Sequence, residues 1–253
     1  MERGSPGRRT TAEADRHIGL VVLLAAASGG LDAVAVLGLG GVFASVMTGN
    51  LVLLGLGAGT RHGGLAGHAG VALVAYAVGV AVGVRMAGST GRPDPAGWSV
   101  RPQRIVVLEL VLVSAFAVGW ELTTGRPSTG AQLALMVPAA LAMGLQGAAM
   151  RSSLGSGVST TYLTGTLTGV VSALAGGRPL REEGSAALVL VAAVVGAALS
   201  GLMLTASPRL GPVVPLVALA CAVGAGRAAT LGNPAAPGRR RPRSGPWVHE
   251  PEG

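Results

Sequence analysis

The sequence has no lysine, a single cysteine and few aromatic residues, and only 12% of its residues are charged. Because Cys221 has no second cysteine to pair with, an intrachain disulfide, a cysteine-pair redox motif and a cysteine zinc site are all excluded. The low charge accompanies a hydrophobic fraction of 50% and a mean hydropathy of +0.58. These values are typical of a membrane protein and not of a soluble domain.

Residues that build enzyme or metal sites are also scarce. The four histidines, His17, His62, His68 and His249, share no metal-ligand spacing, and we expect them to be solvated in tails or short loops. No nucleophile elbow, phosphate-binding loop, H-E-x-x-H motif or dinucleotide fingerprint occurs. We therefore expect no enzyme activity, no cofactor and no metal.

All 19 basic residues are arginine, and the formal net charge is +8. The arginines collect at the termini and between apolar runs, where membrane topology explains them better than nucleic-acid binding does. We expect the lipid bilayer of the bacterial cytoplasmic membrane and a small solute or ion as partners, and no nucleic acid. A homo-oligomer is left open.

Eight apolar segments lie between two polar tails, and several reach the roughly 20 residues that a membrane-spanning helix needs. The segments are 18–40, 41–60, 65–87, 104–124, 130–150, 156–176, 185–206 and 210–229. Residues 1–17 form an arginine-rich arm, and residues 230–253 form a proline- and arginine-rich tail too polar to fold. We expect both ends to be cytoplasmic and the fold to be an all-α polytopic membrane bundle.

The second and sixth segments are rich in serine, threonine and glycine and resemble each other. GVFASVMTGNL, Gly41 to Leu51, aligns with GVSTTYLTGTL, Gly157 to Leu167, at an offset of 116 residues. Both read G-V-x-x-[ST]-x-[ML]-T-G-x-L. We interpret this as an internal duplication, with a first membrane repeat over 18–129 and a second over 130–229.

The arginines discriminate between two topologies, because positively charged loops stay on the cytoplasmic side. If all eight segments cross, the repeats are parallel, and 13 arginines lie inside against 6 outside. If the two polar segments are broken or re-entrant, six spans remain, the repeats are inverted, and 16 arginines lie inside against 3 outside. The six-span topology is favoured, and eight full spans are the alternative.

A broken helix within the bilayer frees backbone groups that hydroxyl and amide side chains can bond. We predict that Gly49 and Gly165 supply the permissive backbone at these turns. Inverted repeats with paired broken helices often frame a transport site near the midplane. The predicted solute or ion pathway comprises Asp32, Ser45, Thr48, Gly49, Asn50, Gln146, Thr160, Thr161, Thr164, Gly165 and Thr166.

Asp32 lies well inside the first apolar segment, where an unpaired carboxylate would cost roughly 2.5 to 3.5 kcal/mol on insertion scales. Two interpretations stay open. Asp32 could relay protons or cations, or it could cap the broken helix or hydrogen-bond Gln146.

Two further charged residues are secondary candidates for the pathway. Glu109 lies in the fourth segment near an arginine-rich loop, and snorkelling toward Arg104 or Arg101 would explain it. Arg151, before the second polar segment, could bind an anion or act as an ordinary cytoplasmic-side residue. The spacings Gly55-x-x-x-Gly59 and Gly79-x-x-x-Gly83 permit close helix contacts.

In GGLDAVAVLGLGGVFASVMTGNLVLLGLG and MGLQGAAMRSSLGSGVSTTYLTGTLTGVV the chain resembles the YoaK-like family of bacterial membrane proteins, defined by a domain of unknown function. The resemblance implies a small polytopic membrane protein, with Asp32, Thr48, Gly49 and Asn50 in the first signature. Gln146, Thr160, Thr164 and Gly165 belong to the second. The chain departs from that second signature at Gly147, where the family often has asparagine. The resemblance implies no activity.

The leading functional hypothesis is a secondary transporter or channel for a small solute or ion, with a midplane site between the TGN and TGT breaks. The alternative is a non-transporting membrane assembly partner or sensor, in which the polar breaks only satisfy helix contacts.

Overall fold

The computed structural model describes residues 11–88, 100–154, 163–177, 179 and 183–231. Within these ranges the chain forms eight α-helices and one short 3-10 helix, Pro208–Leu210, and no strand. The helices are α1 Thr11–Gly38, α2 Met47–Gly59, α3 Gly63–Ala87, α4 Val100–Leu122, α5 Thr129–Leu154, α6 Leu163–Ala175, α7 Gly184–Ala206 and α8 Val213–Leu231.

Six of these helices are long and apolar enough to cross a membrane, and the prediction of a polytopic helical bundle is confirmed. The other two, α2 and α6, have 13 residues each. At about 1.5 Å per residue, such a helix covers about 20 Å, which is less than the roughly 30 Å of a hydrocarbon core. Residues 39–46 before α2 are not helical, so the second apolar segment is too short a helix for the alternative of eight full spans.

Large apolar side chains point outward along the bundle. Exposed leucine and valine side chains occur on α2, on α3 and along α7, where Val194 is 69% exposed. Such a surface would be costly in water and is favourable against lipid tails. The helices therefore fit a bilayer environment.

Small residues set the closest helix contacts. A Cβ at Gly79 or Gly144 would collide with the backbone of the facing helix, so α3 and α5 are in backbone contact. Gly29 and Gly196 play the same part between α1 and α7. Such small residues let membrane helices approach closely, as predicted for the Gly79 spacing. The Gly55 and Gly59 spacing has no such role, since both glycines face open space.

The helices of the two halves of the chain pack in matching pairs. Helix α1 packs against α7 and α8, and α5 packs against α3 and α4, so the first helix of each half meets the third and fourth helices of the other half. Contacts between α4 and α8 and between α1 and α5 complete a ring. We call α1, α4, α5 and α8 the central four-helix bundle.

Trp120 fastens one end of this central bundle. Its indole N–H donates to the carbonyl of Pro208 at 2.8 Å, and its ring stacks at a tilt on Phe116 with the centroids 5.8 Å apart. A Cβ at Gly38 would collide with the indole ring. The ends of α1, α4 and the α7–α8 connection therefore meet at one buried side chain.

Candidate functional site

The first polar segment is a re-entrant loop followed by a half-length helix. Residues 39–46 leave α1 at a turn where Gly40 and Gly41 have φ of 84° and 79°. The loop then folds back along α1, because Ser45 hydrogen-bonds both Ser28 and Asp32. Ser28 and Asp32 precede the end of α1 by ten and six residues, so the loop returns about 9–15 Å along the helix axis.

Glycine supplies the turn, but at different positions from those predicted. Gly49 lies inside α2 and Gly165 inside α6, where the backbone is helical, so the prediction that they form the turns is wrong. Gly40 and Gly41 adopt the left-handed backbone that glycine tolerates best. The chain must reverse direction between the end of α1 and Ser45, which already lies beside α1. Helix α2 begins after Ser45, so its residues cannot form that turn.

Asp32 is the centre of the hydrogen bonds that hold the loop. Its Oδ1 accepts the backbone N–H of Ser45 at 2.7 Å, and its Oδ2 accepts the Ser45 hydroxyl. The Ser28 hydroxyl donates in turn to the Ser45 oxygen at 3.0 Å. All three residues are buried. The carboxyl therefore caps the broken segment, and charge-assisted hydrogen bonds offset part of the cost of its burial.

Asn50 holds the other side of the loop through the backbone of Phe43. Its Oδ1 accepts the Phe43 N–H at 2.9 Å, and its Nδ2 donates to the Phe43 carbonyl at 2.7 Å. The amide side chain is fully buried and bonds the backbone N–H and carbonyl of Phe43, which lie outside any helix and have no secondary-structure partner. Of its signature neighbours, Thr48 is exposed, and Gly49 lies beside the Phe43 ring.

The structure describes the second polar segment only in part. Thr160 and Thr161 lie outside the described residues. Thr164 and Gly165 are exposed in the first turn of α6, and Thr166 is half-buried there. That these residues line the same pathway as the first polar segment stays a prediction.

Gln146 and Arg151 both lie on α5, but in different surroundings. Gln146 is fully buried, and its Nε2 donates to the Leu24 carbonyl on α1 at 2.8 Å. Arg151 is exposed in the last turn of α5, where a cation is favourable against the helix dipole. Gln146 therefore joins the two central helices that carry the signatures, and Arg151 lies at the bundle surface.

Glu109 is buried, so the prediction that it snorkels toward arginine is wrong. Its side chain is fully buried in α4, and neither carboxyl oxygen has a hydrogen-bond partner among the described residues. Arg104 is exposed, and Arg101 donates to the Ala87 carbonyl at 3.2 Å. Glu109 projects from the face of α4 that carries buried Ile105 and Val113, and that face turns inward.

Further buried polar residues were missed or misread in the sequence, and Ser28, His68 and Ser200 are examples. Ser28 lies one helical turn before Asp32, a spacing that could have revealed their shared face. His68 was expected in a loop, although it falls in the apolar segment 65–87. It is buried in α3 beside Gly40, and its Nδ1 lies 2.7 Å from the Gly64 carbonyl oxygen. Ser200 gave no signal, yet it is buried beside Gly30 at the α1–α7 contact.

Six apolar spans, an outward apolar surface and a re-entrant segment define a polytopic α-helical membrane protein. More particularly, the chain belongs to the family described as protein of unknown function (DUF1275), which matches residues 20–225. It is similar to the UPF0700 transmembrane protein YoaK of Bacillus subtilis (strain 168), with 31% identity over 166 residues, or 66% of this chain and 70% of that protein. The family resemblance seen in the sequence is thus confirmed. No solved structure matches.

Proposed function

We propose that the protein is a secondary transporter or channel for a small solute or ion in the bacterial cytoplasmic membrane, with both termini in the cytoplasm. One observation carries the proposal: a re-entrant loop and half-length helix enter the bundle beside a buried carboxyl group. Backbone that is not helical is tolerated at membrane depth where protein or a water-filled cavity covers it. In transporters such broken helices lie at the substrate site.

Asp32 gives this arrangement a means of coupling. Its two oxygens hold the loop through the N–H and hydroxyl of Ser45. A proton or a cation arriving at the carboxyl would compete with these donors for the same lone pairs. Occupancy of Asp32 would therefore loosen the loop, and release of the ion would restore it. This is the differential contact that a conformational change requires.

The second polar segment would supply the opposite side of the pathway. The described part of helix α6 is 13 residues long, like α2, and the two helices begin 116 residues apart, which is the predicted offset. The matched pairing of the helices around the central four-helix bundle supports two inverted repeats. In this proposal Thr164 and Thr166 on α6 face the same pathway as Thr48 and Asn50 on α2.

The alternative is a membrane assembly partner or sensor without transport activity. It is favoured by the hydrogen bonds of the break, because Asp32 and Asn50 both find partners within the break itself. A segment stabilised in this way needs no ligand. Enzyme activity is not part of either proposal.

The test is proton movement in proteoliposomes that contain the full-length protein and an internal pH-sensitive dye. A panel of amino acids, sugars, nucleobases and inorganic ions is added outside under an imposed membrane potential. We expect at least one addition to change the internal pH with the wild-type protein. Asp32→Asn should abolish that change, because the amide cannot exchange a proton.

The matched control is Glu121→Gln, which removes a carboxyl that is 55% exposed and pairs with Arg209 at the surface. This variant should move protons like the wild type. If no addition changes the internal pH with the wild-type protein, the proposal of proton-coupled transport is wrong and the alternative is favoured. If flux occurs and survives in Asp32→Asn, transport stands but Asp32 is not the coupling group.

A further inference from the structure

Glu109 is a second buried acid that the proposed pathway does not use. It lies two to three residues from the middle of the span Arg101–Leu122, about 4 Å along the helix axis. Its side chain is fully buried, and its two oxygens have no hydrogen-bond partner in the described part of the chain. An ionised carboxylate without donors is the least favourable state for such a site.

The register of the central four-helix bundle gives the level of Glu109 among its neighbours. A Cβ at Gly119 on α4 would lie 2.6 Å from Leu135 on α5. Glu109 precedes Gly119 by ten residues, and Leu145 follows Leu135 by ten, so in this antiparallel pair Glu109 is level with Leu145 and its neighbour Gln146. The two buried polar side chains Glu109 and Gln146 therefore lie at about the same depth of the bundle.

The same level can be followed on α8. The Gln103 Nε2 donates to the Val223 carbonyl at 3.0 Å, which fixes α4 against α8. Counting six residues along each helix brings Glu109 level with residues 216–218, an apolar stretch of α8. Glu109 is thus level with apolar residues on α8 and with the buried amide of Gln146 on α5.

No charged group on the helices that pack against α4 is available to neutralise Glu109 as an ion. The arginines on these helices are exposed, His68 lies near the far end of α3 against the Gly64 carbonyl, and Tyr76 is half-buried. The titratable or charged residues on α3, α5 and α8 are His68, Tyr76, Arg85, Arg151, Cys221 and Arg227.

We propose that Glu109 is a proton-binding site enclosed within the central four-helix bundle, distinct from Asp32. The neutral acid removes the charge that the site cannot solvate. The proton leaves only when the α4–α8 contact opens and water or a donor reaches the carboxyl. Folding the bundle therefore takes up one proton at neutral pH, whatever solute the protein handles, and the site does not depend on the transport proposal.

The direct test is infrared spectroscopy of the full-length protein in liposomes, measured as a function of pH. Wild-type protein should show the carbonyl stretch of a protonated carboxyl that persists above neutral pH. Glu109→Gln should delete that band, and Asp32→Asn and Glu121→Gln should retain it. If Glu109→Gln does not fold, Glu109→Asp keeps the acid in a new position, and the band should shift in frequency.

Thermal unfolding gives a second readout. Since the folded state binds a proton that an exposed glutamate releases, the wild-type melting temperature should fall as pH rises from about 5 to about 8. Glu109→Gln should flatten this dependence, whereas Glu121→Gln should leave it unchanged. A wild-type spectrum without the band, or a band that survives in Glu109→Gln, overturns the proposal.

Discussion

Asp32 and Glu109 are both carboxyl side chains inside membrane-spanning helices, but their surroundings are opposite. Asp32 accepts hydrogen bonds from the N–H and hydroxyl of Ser45 and thereby holds a re-entrant loop. Glu109 is equally enclosed and has no donor within the described residues. The comparison teaches that an acid in an apolar run signals a special site, while the neighbouring backbone decides whether that site fastens the fold or stores a proton.

The largest expected effect is the loss of the Asp32 acceptors. Asp32→Leu removes the acceptors of the buried Ser45 N–H and of the Ser45 hydroxyl proton, and it should lower the free energy of unfolding by about 2–6 kcal/mol. Asp32→Asn keeps one carbonyl acceptor and should lose less. Chemical unfolding in detergent micelles, followed by circular dichroism, measures both. If Asp32→Leu were as stable as wild type, the loop would not depend on Asp32.

The same kind of substitution at Glu109 should act in the opposite direction. Glu109→Met replaces a carboxyl that lacks partners by an apolar side chain of similar length, so we expect no loss, or a gain of about 1–2 kcal/mol in unfolding free energy. The same unfolding measurement at neutral pH applies. A loss as large as that of Asp32→Leu would mean that Glu109 has a partner, and the contrast between the two acids would disappear.

The smallest expected effect comes from Ser28, which contacts the Asp32 site only through Ser45. Ser28→Ala removes one donor while Ser45 keeps its bonds to Asp32, so the unfolding free energy should fall by about 0.5–1.5 kcal/mol. Ser114→Ala is a suitable control, because its hydroxyl bonds only the Leu110 carbonyl of its own helix. Equal losses in the two variants would show that the link from Ser28 to Ser45 adds nothing.

Most of the architecture could be predicted from the sequence, because hydropathy over about 20 residues determines which helices span a bilayer. The helices end within a few residues of the predicted apolar segments, and arginine placement selected six spans over eight. Asn50 was correctly expected to bond backbone freed at the break, since its amide bonds the N–H and the carbonyl of Phe43. The Ser45 hydroxyl instead bonds the side chains of Asp32 and Ser28.

The details that failed depend on packing between distant elements. Gly49 and Gly40 are both glycines in the same signature region, and the sequence does not indicate which one takes positive φ. Glu109 lies near arginines along the chain, but the rotation of α4 turns its side chain inward. Ser200 meets Gly30 only because α1 and α7 come into backbone contact.

The bond between Asn50 and residue 43 has a consequence for which positions tolerate change. At residue 43, Asn50 hydrogen-bonds the backbone N–H and carbonyl, which every amino acid except proline presents together. In a saturation library selected for folded protein, position 43 should therefore accept many residue types and exclude proline. Position 50, which must both donate and accept, should remain almost entirely asparagine.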